Sequence, residues 1–180
     1  MGSLGAALAT MVANLTVGKK GYEAAWGELA AMAERGQSVK DRLAHAVDED
    51  TDAFNRVMDA MRLPKGTPEQ QAERTRAIEA ANMGAAEVPL ETARLCLEAI
   101  ALADKAAGLG NRHSASDAGV AALAARAGAE GAALNVRINL AGISDAGFKA
   151  RASAQIAAIE AEARRLCEAV LARVAAAINA

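Results

Sequence analysis

Asp50 is a carboxylate set where a helix carries its apolar side chains. Leu43, Val47, Phe54, Val57 and Met61 recur at the three- and four-residue intervals of one helical face, and Asp50 fills the slot between Val47 and Phe54. At about 100° per residue, the neighbouring acids Asp48, Glu49 and Asp52 point away from that stripe. The pattern therefore expects Asp50 to face the interior, where a carboxylate is costly unless it is paired, hydrogen-bonded or neutral. A carboxylate so placed can work as a general acid or base, because desolvation raises a carboxylate pKa and neighbouring cations lower it. The plainer alternative is a structural group paired to an arginine or capping a neighbouring helix.

Other chemistry-bearing residues are less informative. His45 is followed at three and four residues by Asp48 and Glu49, but these lie off the apolar stripe, and His45 and His113 lack the second ligand pair that a metal site needs. Ser116 and Asp117 stand just ahead of an apolar run, where helix capping competes with substrate binding as their role. Lys19 and Lys20 can attract an anion or complement a helix C-terminus. Cys96 and Cys167 belong to no metal-like or redox-like spacing and read as reduced, buried thiols of a cytoplasmic protein. There is no phosphate-binding loop, nucleophile elbow or zinc-binding helix motif, which excludes phosphoryl transfer and serine hydrolysis.

The elements that must position Asp50 follow from composition. The chain has 180 residues, 53% of them hydrophobic but only 2% aromatic, and alanine dominates. Alanine has the highest helix propensity and lets helix axes approach closely, so the expected fold is all-α: one helical domain over residues 1–180, a bundle of about five to six helices. A net charge of −2 with dispersed Lys and Arg offers no basic stripe for nucleic acid. Met1 to Gly18 carries no charge, but Lys19 and Lys20 follow the apolar run rather than precede it, and Thr10, Asn14 and Thr16 interrupt it. That is the pattern of a helix buried in a bundle or at a dimer interface, not of a signal peptide or membrane span.

Along the chain, a first helix is expected from about Leu4 to Val17, with Leu4, Leu8, Met11 and Leu15 on one face. A long helical stretch follows from near Glu23 to Arg62, with a bend near Gly36, and stops at Leu63-Pro64-Lys65-Gly66. Thr67-Pro68-Glu69-Gln70 is a strong start signal: a hydroxyl N-cap, proline at the first helical position and a Gln placed to close a capping box. The helix it opens should reach toward Ala107 with a kink or break near Val88, because Pro89 has no amide hydrogen. Ser114, Ser116 and Asp117 offer caps for the next helix, which carries Val120, Leu123, Leu134 and Ile138 and ends near Gly142. Ser144 is placed to cap the last, amphipathic through Phe148, Ile156, Ile159, Leu166, Val170 and Val174. In the helix before it, Ala124, Gly128, Gly131 and Asn135 align as a smooth groove, onto which a neighbouring helix or a flat ligand must press.

Particular words of the sequence go further. Leu4-Gly-Ala-Ala-Leu8, Asn14-Leu-Thr-Val-Gly-Lys-Lys20, Asp48-Glu-Asp-Thr-Asp-Ala-Phe54, Met61-Arg-Leu-Pro-Lys-Gly-Thr-Pro68, Val88-Pro-Leu90, Gly110-Asn111, Ser116-Asp-Ala-Gly-Val120 and Asn135-Val-Arg-Ile-Asn139 together resemble the cyclodeaminase/cyclohydrolase family of folate enzymes, in order and over nearly the whole chain. The resemblance implies an all-helical homodimer whose catalytic aspartate falls on Asp50. The wording at Asn14–Lys20 and Ser116–Val120 is closer to the stand-alone methenyltetrahydrofolate cyclohydrolases than to the cyclodeaminase domains. It implies hydrolysis of 5,10-methenyltetrahydrofolate to 10-formyltetrahydrofolate, with formiminotetrahydrofolate cyclodeaminase (ammonia lyase) as the alternative and an inactive folate-binding or scaffold dimer as a second.

For a folate substrate, Lys19, Lys20 and Lys65 are candidate anchors of the anionic glutamate tail, and Asn111, Asn135 and Asn139 candidate partners of the pterin edge. The resemblance implies no metal, nucleotide or redox cofactor and no nucleic-acid or membrane partner. Members of the family also carry an N-terminal helix and a Pro-Gly-Gly-Gly-Ser-like segment ahead of the helix that starts here at Met1-Gly2-Ser3. Relative to them the chain reads as N-terminally shortened, with the expectation of a reduced substrate site and uncovered apolar surface.

Overall fold

The computed structural model describes residues 1–179. Among them the chain forms five α-helices and no strand: α1 Gly2–Asn14, α2 Trp26–Arg62, α3 Pro68–Leu109, α4 Ala115–Leu140 and α5 Ala146–Asn179. Short 3-10 turns precede α2 and α4 at Glu23–Ala25 and Arg112–Ser114.

Helix α3 packs against all four other helices, and the short α1 packs against α2, α3 and α4. Small side chains make this possible. Gly2, Gly5, Ala6, Ala9, Thr10, Val12 and Ala13 are its buried residues. A Cβ on Gly36 of α2 would lie 2.2 Å from Thr10 Oγ1, so glycine is required where the two helices cross. The core continues through Leu29, Val39, Ile100, Ala103 and Val170. A second apolar cluster ties α3, α4 and α5 through Leu90, Val136, Leu140, Phe148 and Ile156. Thr16, fully buried beyond the end of α1, donates to the Val12 carbonyl at 2.6 Å and accepts from the Asn111 amide at 2.8 Å, fastening α1 to the α3–α4 connection.

The alanine faces pack the chain against itself, and several large apolar side chains point outward. Leu4, Met11 and Leu15 on α1 and its trailing turn are exposed, so the face expected from their spacing is real but is not the buried one. On α2 the expected stripe is split: Leu43 is buried, but Val47 is 67% and Phe54 62% exposed while Ala46, Ala53 and Ala60 are buried. On α4, Val120, Leu123, Leu134 and Ile138 are exposed while Ala121, Ala122, Ala125, Ala129 and Ala133 are buried.

The capping box at Thr67 is present in full: the Thr67 hydroxyl accepts from the Gln70 amide and the Gln70 side chain accepts from the Thr67 amide. Two local expectations are narrowed. Helix α3 is not broken at Pro89 but continues through it. The cap of α5 is Asp145, whose Oδ1 accepts from the Phe148 amide at 2.8 Å, rather than Ser144. The Ser144 and Asp145 amides instead both donate to Glu79 Oε1 of α3, at 2.7 and 2.8 Å.

Candidate active site

A cleft of about 570 Å³ opens where the start of α1 meets the middles of α2, α3 and α4, a volume that suits a small organic ligand. One wall is α2, with Leu43, Val47, Asp50 and Thr51; the facing wall is α3, with Val88, Pro89, Thr92 and Cys96. Gly128, Gly131, Ala132 and Asn135 of α4 lie between them.

The smooth groove expected on α4 is thus the cleft surface, and its two glycines do different work. A Cβ on Gly128 would lie 2.9 Å from Cys96 Sγ and 2.9 Å from the Gly2 amide nitrogen, so this glycine lets three helices converge. A Cβ on Gly131 would meet nothing within 4 Å, so this one leaves open space for an occupant.

Asp50 is the one charged side chain among the residues that line the cleft. It is exposed rather than turned to the core, which corrects the expectation from the apolar stripe. The reason is geometric. Asp50 sits about 40° round the helix from the buried Ala46, toward the outward-facing Val47 and Phe54, so it stands on the rim between the packed and the open side of α2. The adjacent basic side chains face another acid: Arg42 lies 3.9 Å and His45 3.6 Å from Glu49.

The polar residues beside Asp50 are mostly turned back on the main chain. Thr51 Oγ1 donates to the Val47 carbonyl at 3.1 Å, Thr92 Oγ1 to Val88 at 3.0 Å and Ser3 Oγ to Lys40 at 3.3 Å. Sequence patterning does not mark Pro89 or Cys96 as site residues, since the first reads as a kink and the second as a buried thiol, and it carries no signal for Thr92. Burial pushes the Cys96 thiol up to about 11, so it sits in the cleft wall as a protonated, inert group.

Of the other candidates, only Asn135 is brought to the cleft. Asn139, one turn on, donates through Nδ2 to the Ala85 carbonyl at 2.7 Å and is spent on packing α4 against α3. Asn111 is buried at the far end of α1, its amide on Thr16 and its Oδ1 accepting from the His113 amide at 3.1 Å. Lys19 and Lys20 follow the C-terminal end of α1, a helix length of roughly 20 Å from the cleft at its N-terminal end. Lys65 lies in the α2–α3 loop beside Gln71 and Arg74, about 18 Å along α2 from Asp50. Among the described residues no three His, Cys, Asp or Glu side chains gather as a metal site.

The architecture defines an all-helical bundle with a ligand-sized, largely apolar cleft and one carboxylate at its rim. The chain belongs to the formiminotransferase-cyclodeaminase family, whose profile matches residues 1–158. It is 40% identical to a methenyltetrahydrofolate cyclohydrolase of Methylorubrum extorquens over 178 residues, which cover 99% of this chain and 86% of that protein. It is 34% identical to the formimidoyltransferase-cyclodeaminase of Sus scrofa over 97% of this chain but 32% of that longer protein. The crystal structure of a formiminotetrahydrofolate cyclodeaminase from Thermotoga maritima superposes with a TM-score of 0.87 at 29% identity, covering 98% of this chain and 84% of that one.

Proposed function

We propose that the chain hydrolyses 5,10-methenyltetrahydrofolate to 10-formyltetrahydrofolate in the cleft beside Asp50. The observation that carries the reading is a single carboxylate at the rim of a cleft lined by no other charged side chain, with Arg42 turned to Glu49. Such a rim attracts a cation, and methenyltetrahydrofolate carries its positive charge on the amidinium carbon where water must add. The similarity to the Methylorubrum cyclohydrolase across nearly the whole chain supports this choice of substrate.

In this reading Asp50 takes a proton as water oxygen bonds to the carbon between N5 and N10. The resulting tetrahedral carbon expels N5, which receives the proton back from Asp50, while the hydroxyl proton leaves to solvent as the formyl group forms on N10. One proton is released per turnover. Water and the carboxylate complete the reaction, so the reading calls for no metal, nucleotide or redox cofactor. Asn135 is the polar side chain on α4 placed to orient the pterin edge. The three lysines, Asn111 and Asn139 are given no contact with substrate.

The cyclodeaminase reaction is the second reading, favoured by the similarity to the Thermotoga structure. There N10 attacks a formimino carbon and the same carboxylate helps ammonia leave. The two are separated by offering the purified protein each folate in turn. Loss of methenyltetrahydrofolate absorbance above background, without ammonia release from formiminotetrahydrofolate, supports the hydrolase; ammonia release alone would replace it with the lyase, and neither would leave a folate-binding or scaffold protein.

The working unit is a homodimer on this reading. Large apolar side chains of α1, α2 and α4 point outward, and a second copy would cover like with like. Two free thiols suit a reducing compartment, the cytoplasm. No helix among the described residues is long and apolar enough to cross a membrane.

A further inference from the structure

We infer that Asn139 is a positioning residue of the cleft: from α4 it takes up the carbonyl that Pro89 leaves without a helical donor, and so fixes the α3 wall opposite Asp50. The inference rests on the folate-enzyme reading above. It starts from a defect in α3. Proline has no amide hydrogen to give the carbonyl four residues back, and its ring crowds that carbonyl; here the orphaned group belongs to Ala85. Yet α3 stays helical on both sides of Pro89. The donor that replaces the missing one is Asn139 Nδ2, at 2.7 Å.

This bond is the last of a series. On α3, Glu79 accepts from the Ser144 and Asp145 amides, and Asn82 Nδ2 donates to the Gly142 carbonyl at 3.0 Å. Three residues further on, the Ala85 carbonyl takes Asn139. The series runs antiparallel along the α3–α4 contact and stops at the cleft, where Pro89 lines one wall and Asn135, one turn before Asn139, lines another. The first two ties could hold the helices together anywhere. The third sits where the helix has lost its own restraint, so it sets how far the Val88–Pro89 turn leans toward Gly131 and Asn135.

A double-mutant cycle separates positioning from plain structural support. Pro89→Ala restores an amide that bonds Ala85 within the helix, which makes Asn139 redundant. With Pro89 present, Asn139→Ala should raise KM, and the Kd for methenyltetrahydrofolate, by roughly three- to tenfold, the scale of one lost hydrogen bond, with kcat within about twofold. In the Pro89→Ala background the same substitution should move KM by less than about twofold. Asn139→Asp, which keeps the shape and removes the donor, gives the same comparison where the alanine variant does not fold. Equal KM factors in both backgrounds, or a fall in Tm with KM unmoved, would overturn the inference. Absence of both binding and turnover in the unaltered protein would overturn the parent reading instead, and it shows before any substitution is made.

Discussion

Gly128 and Cys96 meet in the cleft with no room for a methyl group between them: a Cβ on the glycine would lie 2.9 Å from the sulfur. The same Cβ would press on the Gly2 amide nitrogen, main chain that cannot swing aside, so α1 or α3 must move to admit it. Gly128→Ala is therefore expected to destabilise the protein by about 1–3 kcal/mol despite alanine's better helix propensity. Gly131→Ala, with open space at its Cβ, is expected to stabilise by about 0.5–1 kcal/mol while narrowing the cleft and raising KM. Urea unfolding and steady-state kinetics on the two variants check this opposition; matching stability changes would contradict it.

The buried Cys96 thiol makes a prediction about pH. Its pKa is raised from an ordinary 9.0 to about 11 by burial, so the folded chain holds this proton where the unfolded chain has released it. A raised folded-state pKa contributes stability that is intact below the unfolded value and lost as pH climbs through the folded one. Cys96→Ser or Cys96→Ala should flatten the decline in Tm between about pH 9 and 11 relative to the parent protein. In the folded protein at neutral pH, Cys96 should resist alkylation by iodoacetamide, read by peptide mass spectrometry, and react once the chain is unfolded.

The outward apolar ridge gives an association test. Leu134 and Ile138 are 61% and 69% exposed on α4, so replacing both by aspartate costs the single chain little of its own core. Leu134→Asp/Ile138→Asp should shift sedimentation velocity from dimer to monomer while leaving the far-ultraviolet circular dichroism helical. A parent chain that sediments as a monomer would contradict the proposed dimer, and a dimer unchanged by the substitutions would place its interface elsewhere.

What could be read from the residues depended on which force decides each feature. The start of α3 was legible because Thr67, Pro68 and Gln70 settle it locally, and the Gly128–Gly131 groove because interior glycines in a helix need a reason. On α1 and α2 the expected apolar faces are only partly buried: Leu8 and Leu43 reach the core. In an alanine-rich chain the small side chains allow the closest helix contacts and fill the core, while Leu4, Phe54 and Met61 are left outside. Periodicity finds an apolar stripe but does not say whether the chain itself or another molecule covers it, which is why Asp50 was expected inside and stands on a rim. Asn135 and Asn139 share a helix face and looked equivalent; the carbonyl freed by Pro89, which only the packing of α3 on α4 reveals, gives the second another task.

The central claim is that the Asp50 carboxylate moves the proton in the cleft, and one comparison tests it most directly. Disappearance of the near-ultraviolet absorbance of methenyltetrahydrofolate is followed with the parent protein and with Asp50→Asn, which keeps the shape and cannot accept the proton. The account expects the substitution to reduce kcat by at least about a hundredfold, the usual scale for a general acid–base group, with the fold intact by circular dichroism. Equal rates for the two proteins would contradict it.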